Sequence, residues 1–171
     1  IKGLILDLRS NPGGVLNQAI EVAAIFLPPK TLVAISEGRT QESNHSYFTK
    51  KTSAPSDIKT VPLVVLVDGG SAAASEIVAG ALQDHQRAII LGDPTFGRAS
   101  IQTVIPLENG GALKLTTARW RPPNGRPIQS KGITPDVGSL DKPVEPSKFG
   151  SALDHELSQA VNILETKGAL N

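Results

Sequence analysis

The residues best placed to do chemistry in this 171-residue chain lie where a strand turns into a helix. Residues 62–67, P-L-V-V-L-V, form a continuous apolar, β-branched run, the pattern of a strand buried on both faces. Asp68-Gly69-Gly70 turns it, and residues 73–83 read as an alanine-rich helix. A helix start presents unpaired N–H groups and a partial positive charge. A nucleophile set there has amides at hand to stabilise an oxyanion. Gly69 and Gly70 let a substrate approach the main chain closely. The bare pattern also reads as an ordinary tight turn into a packed helix. It is not a phosphate-binding loop, because the Lys-Ser/Thr ending is missing.

The other polar candidates have structural readings. Ser71 and Ser75 flank position 73 two residues to either side, which points their hydroxyls elsewhere. Arg98, in the loop T-F-G-R-A-S-I-Q at 95–102, reads on its own as a solvated cation. His45, His85 and His155 are scattered, without partners at metal-ligand spacing, so no metal is expected. Asp7 and Asp84 lack a basic partner in any motif. Trp120, between Arg119 and Arg121, is expected to pack rather than stack on bases.

The elements that must position these residues alternate, which argues an α/β fold. Residues 3–8 are a short apolar strand ended by Ser10-Asn11-Pro12-Gly13-Gly14, a strong turn signal. Residues 15–27 carry Leu16, Ala19, Ile20, Ala23, Ala24 and Leu27 at helical spacing, and Pro28-Pro29 stops them. Strands follow at 31–35 and 87–91. The polar stretch 37–60 is expected to be the least regular. Residues 101–107 and 112–119 flank Glu108-Asn109-Gly110-Gly111 and predict a β-hairpin. Six of the thirteen prolines fall within 121–150, which predicts extended, irregular chain. Leu153, Leu157, Ala160, Val161 and Leu164 share one face of a closing helix.

Bulk properties narrow the function classes. The length fits one domain able to bury a core. The net charge of +1 gives no footprint for nucleic acid, and no apolar run approaches the ~20 residues that span a bilayer. Cysteine is absent, which excludes disulfides and thiolate metal sites. The chain opens on Ile1 in a strand-like run and reads as an internal piece of a longer protein.

Taken together, D-G-G-S-A-A-A-S-E at 68–76 and T-F-G-R-A-S-I-Q at 95–102 resemble the core of the carboxyl-terminal processing peptidases, or tail-specific proteases. Members typically read S-A-S-A-S-E and F-G-K-G-S/T-V-Q, with the central Ser as nucleophile and the Lys as general base. Aligned through Glu76 and Phe96-Gly97, those roles fall on Ala73 and Arg98. Gln102 matches the residue thought to orient the lysine, and Ala99 replaces a glycine. L-D-L-R-S-N-P-G-G at 6–14, S-E-I-V-A-G-A-L-Q-D-H at 75–85 and the segment 117–136 also follow the family pattern, so the resemblance covers nearly the entire chain.

The resemblance implies a mixed sheet with helices, the β-β-α core of the Clp-protease/crotonase type, with the Gly-Gly turn at the mouth of a cleft. It implies endopeptidase cleavage of polypeptide substrates near their C-termini, no metal or organic cofactor, an extracytoplasmic location and a PDZ domain upstream of these residues. An oligomer is compatible with it. It places Gly69, Gly70 and Ala74, with Asn11, Gly13 and Gly14, at the oxyanion and substrate-binding positions. Ala73 has no nucleophilic atom, and a guanidinium is not a base at any working pH. The expectation is therefore an inactive core, either altered at Ala73 to trap substrate or a natural pseudoprotease that binds peptides or partners without cutting. A crotonase-like acyl-CoA enzyme is a third reading, against which the hairpin and the P-N-G-R segment argue.

Overall fold

The computed structural model describes residues 1–141 and 144–168. Its centre is a parallel sheet in the order β1 (Leu4–Asp7), β4 (Leu63–Val67), β5 (Ile89–Gly92) and β8 (Val137–Gly138). Side chains alternate across a strand, so the run at 63–67 feeds both faces. Leu63, Val65 and Val67 point into the main core with helices α1 (Leu16–Phe26) and α2 (Ala74–Asp84). Val64 and Leu66 point the other way, into a second core with Ala160, Leu157 and Leu164 of α3 (His155–Gly168). That two-sided burial explains the unbroken apolar run, all five residues of which are buried.

The second sheet is antiparallel, in the order β3 (His45–Phe48), β2 (Leu32–Gly38), β7 (Ala112–Arg121) and β6 (Ser100–Pro106). The expected hairpin is β6–β7, with a register irregularity between Ile101 and Gln102. Its pairing with β2 reaches only from Ala118 to Arg121, so the outer hairpin projects as a two-stranded ribbon. Ile105, Leu113 and Leu115 on it are more than 40% exposed.

The expected α/β class with helices holds, its strands divided between two sheets. The polar stretch 37–60 is more regular than its composition predicts. It contains β3, whose residues lie exposed or half-buried and are held by pairing with β2 rather than by a core face. Residues 121–150 are irregular as expected apart from β8 and a 3-10 turn at Pro146–Lys148; residues 142 and 143 lie outside the described residues. No described helix is long and apolar enough to cross a membrane.

The start of α3 is fastened to the end of β1 by a buried ion cluster. Arg9 Nη1 donates to Asp154 and Glu156 at 2.8 Å, and Arg9 Nη2 to Asp154 and Asp7 at 2.7 Å. Phe149 lies on the guanidinium, 3.9 Å from ring centroid to Cζ. Burial alone would lower the Arg9 pKa, but hydrogen bonds to Asp154, Asp7 and Glu156 outweigh it and raise it further. The Arg9 hydrogen bonds hold the Asp154 carboxyl well below the usual carboxylate range, helped against burial by the N–H groups of Gly150 and Leu157.

Candidate active site

Ala73 is the N-cap of α2, and its backbone is unusual. At φ 50° and ψ −109° it occupies a region that favours glycine. Such strain costs on the order of 1–3 kcal/mol and persists only where the surroundings impose it. The surroundings are on both sides. Ala72 N–H donates to Asn11 O at 3.0 Å, Ser75 Oγ donates to the same oxygen at 3.0 Å, and Ala73 N–H donates to Glu76 Oε2 at 2.8 Å.

Glu76 organises the site. Its side chain is fully buried and accepts from four donors: Ala73 N–H and Arg98 N–H on Oε2, Gly97 N–H and Thr95 Oγ1 on Oε1, at 2.6–2.8 Å. A Glu at the third helical position commonly reaches back to its N-cap; here it also captures the 95–98 loop. Thr95 Oγ1 in turn accepts the Ile133 N–H at 2.7 Å. Gly97, at φ 86°, lies so close that a Cβ there would meet the Lys131 and Gly132 nitrogens at 2.8 Å. Arg98 O accepts the Trp120 Nε1–H at 3.1 Å. The positions of Ala73 and Arg98, 25 residues apart in sequence, are thus neighbours around one carboxylate.

The Arg98 guanidinium extends from this anchored backbone to the surface, stacked 4.9 Å above the exposed Phe96 ring. Among the described residues it forms no ion pair. Ala99 is 2% exposed and is not among the positive-φ residues, so its methyl group fits without strain. Gln102 lies exposed beside the β6 irregularity, paired through its backbone with Thr116.

The flanking hydroxyls are committed to the scaffold. Ser71 Oγ donates to Leu8 O at 2.7 Å and accepts the Asp68 N–H at 2.9 Å. Ser71 is fully buried and Ser75 nearly so, at 4% exposed.

The amides divide differently from the sequence expectation. Gly70 N–H, expected to face the cleft, donates to Asp68 Oδ1 at 2.9 Å, an oxygen that also takes Ser10 N–H and Ser71 N–H. Gly13 N–H donates to Asn11 Oδ1 at 2.9 Å. Asn11 is therefore a brace between the 10–14 loop and α2. Gly13, at φ 88°, leaves no room for a side chain, since a Cβ would lie 2.6 Å from the Ala74 nitrogen and closer still to Ala72 O. The N–H groups of Gly14, Gly69 and Ala74 have no acceptor among the described residues. Ala74 N–H, in the first turn of α2 and beside Gly13, is the donor best placed for an oxyanion or carboxylate.

Glu76 is the site-organising residue that motif spacing alone does not reveal, and Arg9 fastens β1 to α3 from the adjoining position. The position of Glu76 three residues into a predicted helix was the available signal; nothing local in the sequence announces the partners of Arg9.

The family model of peptidase family S41 matches residues 1–139. The chain is 50% identical over 149 residues to a carboxy-terminal-processing protease of Bartonella bacilliformis, covering 87% of this chain and 33% of that protein. It is 40% identical over 163 residues to a carboxyl-terminal-processing protease of Synechocystis sp., covering 95% and 36%. The chain spans about a third of the length of these relatives. Among solved structures it superposes on a photosystem II D1 C-terminal processing protease with a TM-score of 0.74 and 33% identity, over 96% of this chain and 39% of that one.

Proposed function

The chain belongs to peptidase family S41, and from that membership we propose that it is the core of a carboxyl-terminal processing endopeptidase of Ser/Lys type that holds polypeptide without cutting it. One observation carries the reading. The residue at the strained N-cap, where the backbone geometry is that of a nucleophile elbow, is an alanine. Neither neighbouring hydroxyl is a substitute, because Ser71 and Ser75 donate to the carbonyls of Leu8 and Asn11. The base position carries Arg98, which stays protonated at any working pH and cannot accept a serine proton.

What supports retained binding is the survival of everything else. The Glu76 clamp, the Gly13 contact and the unpaired Ala74 N–H need no hydroxyl. The ligands are extended polypeptides or peptide C-termini, and the natural pseudoprotease reading is favoured over a substrate trap. A trap needs only Ala73, whereas Arg98 and Ala99 also depart from the family pattern. An extracytoplasmic setting is part of the same proposal.

The test is incubation of the protein with an unfolded protein and with a C-terminally apolar peptide, followed by mass spectrometry. Both stay intact. Turnover that disappears on Ser71→Ala or Ser75→Ala would overturn the reading.

A further inference from the structure

A pocket of about 210 Å³ opens beside Ala74, between the 11–14 loop and the facing sides of α1 and α2. Its apolar walls are Leu8, Val15, Ala19, Val22 and Val78, and the uncharged polar residues Asn11, Gln18 and Ser75 complete the lining. Leu8, Ala19 and Val78 are at most 7% exposed and form its floor, while Val15, 60% exposed, stands at its mouth. Pockets that enclose a whole small molecule run to roughly 300–1,000 Å³. This one suits a single side chain. Gly13, Gly14 and Ala74 border it on the side facing position 73. A main-chain oxygen bound to the Ala74 N–H therefore carries its own side chain to the pocket, because only the carbonyl carbon and Cα separate the two.

A second observation concerns Arg98. Its guanidinium is exposed, without an acidic partner among the described residues, and lies over the Phe96 ring. Arg98 Cζ over the ring face leaves the guanidinium N–H groups without an acidic acceptor among the described residues, and such a fork can grip a carboxylate. Its backbone shares Glu76 Oε2 with Ala73, so the cation is rooted at the site. Position 73 ends at Cβ, which leaves space for a second oxygen where a hydroxyl would stand.

We infer that the site reads a free peptide C-terminus, with the terminal carboxylate held between the Ala74 N–H and Arg98 and an aliphatic terminal side chain in the pocket. This rests on the non-cleaving reading above and adds the register and the chemistry of the ligand. A lysine base serves a peptide bond passing through the site; an arginine at that position suits a chain end. No residue lining the pocket is charged, so a terminal aspartate or lysine gains no ion pair there.

The experiment uses fluorescent pentapeptides, identical except for the last residue (Gly, Val, Leu or Asp), each as free acid and as amide, titrated into the protein. Val- and Leu-ended acids are expected to bind at least about tenfold tighter than the Gly-ended acid, from burial of the side chain. The Asp-ended acid binds no better than the Gly-ended one. Amidation weakens the Val-ended peptide several-fold, and Arg98→Gln removes that difference. Val15→Asp, at the exposed rim where folding is unaffected, reduces the preference for Val over Gly.

Equal affinities across the four free acids overturn the pocket assignment. Equal affinities of acid and amide overturn the C-terminal register. In both cases peptide binding itself stands, whereas no binding by any peptide removes the peptide-holding reading from which the inference starts.

Discussion

Ala73 and Arg98 donate their main-chain N–H groups to the same oxygen of Glu76, at 2.8 Å each. The relationship fixes two loops relative to each other through backbone atoms alone. It is therefore indifferent to which side chains occupy the two positions. A serine and a lysine there would be held in register by the same carboxylate, and the geometry outlasts their loss.

Glu76→Gln tests that clamp. The substitution keeps the shape but turns one acceptor oxygen into a donor that faces two donors. Leaving two buried groups unpaired costs about 1–3 kcal/mol each, so a loss of roughly 2–6 kcal/mol is expected. Urea unfolding checks it, with the midpoint falling and the slope unchanged. A midpoint equal to that of the parent would show that the four hydrogen bonds contribute nothing net.

Restoring the chemistry requires two changes. In the full-length protein, Ala73→Ser alone should give no cleavage, because the hydroxyl meets a cation instead of a base. Adding Arg98→Lys should speed hydrolysis of an unfolded substrate by about 100-fold or more, the usual contribution of a positioned general base. Ala99 needs no reversion, since its methyl group is buried without backbone strain. Strong cleavage by the single variant would show that Arg98 is no obstacle.

Gly13→Ala should damage the site more than its size suggests. The new methyl group would enter the space of Ala72 O and the Ala74 nitrogen from a backbone at φ 88°. A cost of about 1–3 kcal/mol is expected for the strain, with loss of peptide binding as the start of α2 is pushed aside. Calorimetry and a peptide titration on the same sample check both. Gly14→Ala, where a Cβ meets nothing within 4 Å, is the control.

Acid should loosen the join between β1 and α3. The folded-state pKa of Asp154 is depressed, first by its hydrogen bond from Arg9. Stability from this group is fully present above the unfolded carboxylate value of about 3.9 and is lost as the pH falls below it towards the folded value. Unfolding monitored between neutral pH and pH 2 should show the decline. The Asp154→Asn variant should begin less stable at neutral pH and show a shallower fall.

The features that could be read from residues are those governed by local pattern. Leu63–Val67 declares a doubly buried strand because all five side chains are apolar and three are β-branched. Pro28-Pro29 and the turn at 108–111 mark their element ends by backbone chemistry. β3 was hidden because His45–Phe48 contribute backbone pairing to β2 and little core. Motif spacing brought Ala73 and Arg98 to one site but could not say what joins them, since Glu76 acts through main-chain N–H groups that any residue supplies. The turn at Gly70 is legible and places it at the cleft, while the carboxylate that takes its N–H depends on the rotamer of Asp68. Beside its neighbour Asp7, the partners of Arg9 are Asp154 and Glu156, 145 and 147 positions away, beyond any local signal.

That last separation has a consequence for the order of events on the ribosome. Arg9 immediately precedes the loop that braces α2, yet Asp154 and Glu156 emerge only after almost the entire domain has been synthesised. At roughly 5–20 residues per second the wait is on the order of ten seconds or longer. Until then the guanidinium has, of these three carboxylates, only Asp7 for a partner. The two sheets and α2 can be in place first, with the C-terminal helix arriving as the fastener at the end of β1. A nascent chain truncated before Asp154 would thus carry every motif residue of the site and the bonds of Glu76 and Asn11, and lack the join between β1 and α3.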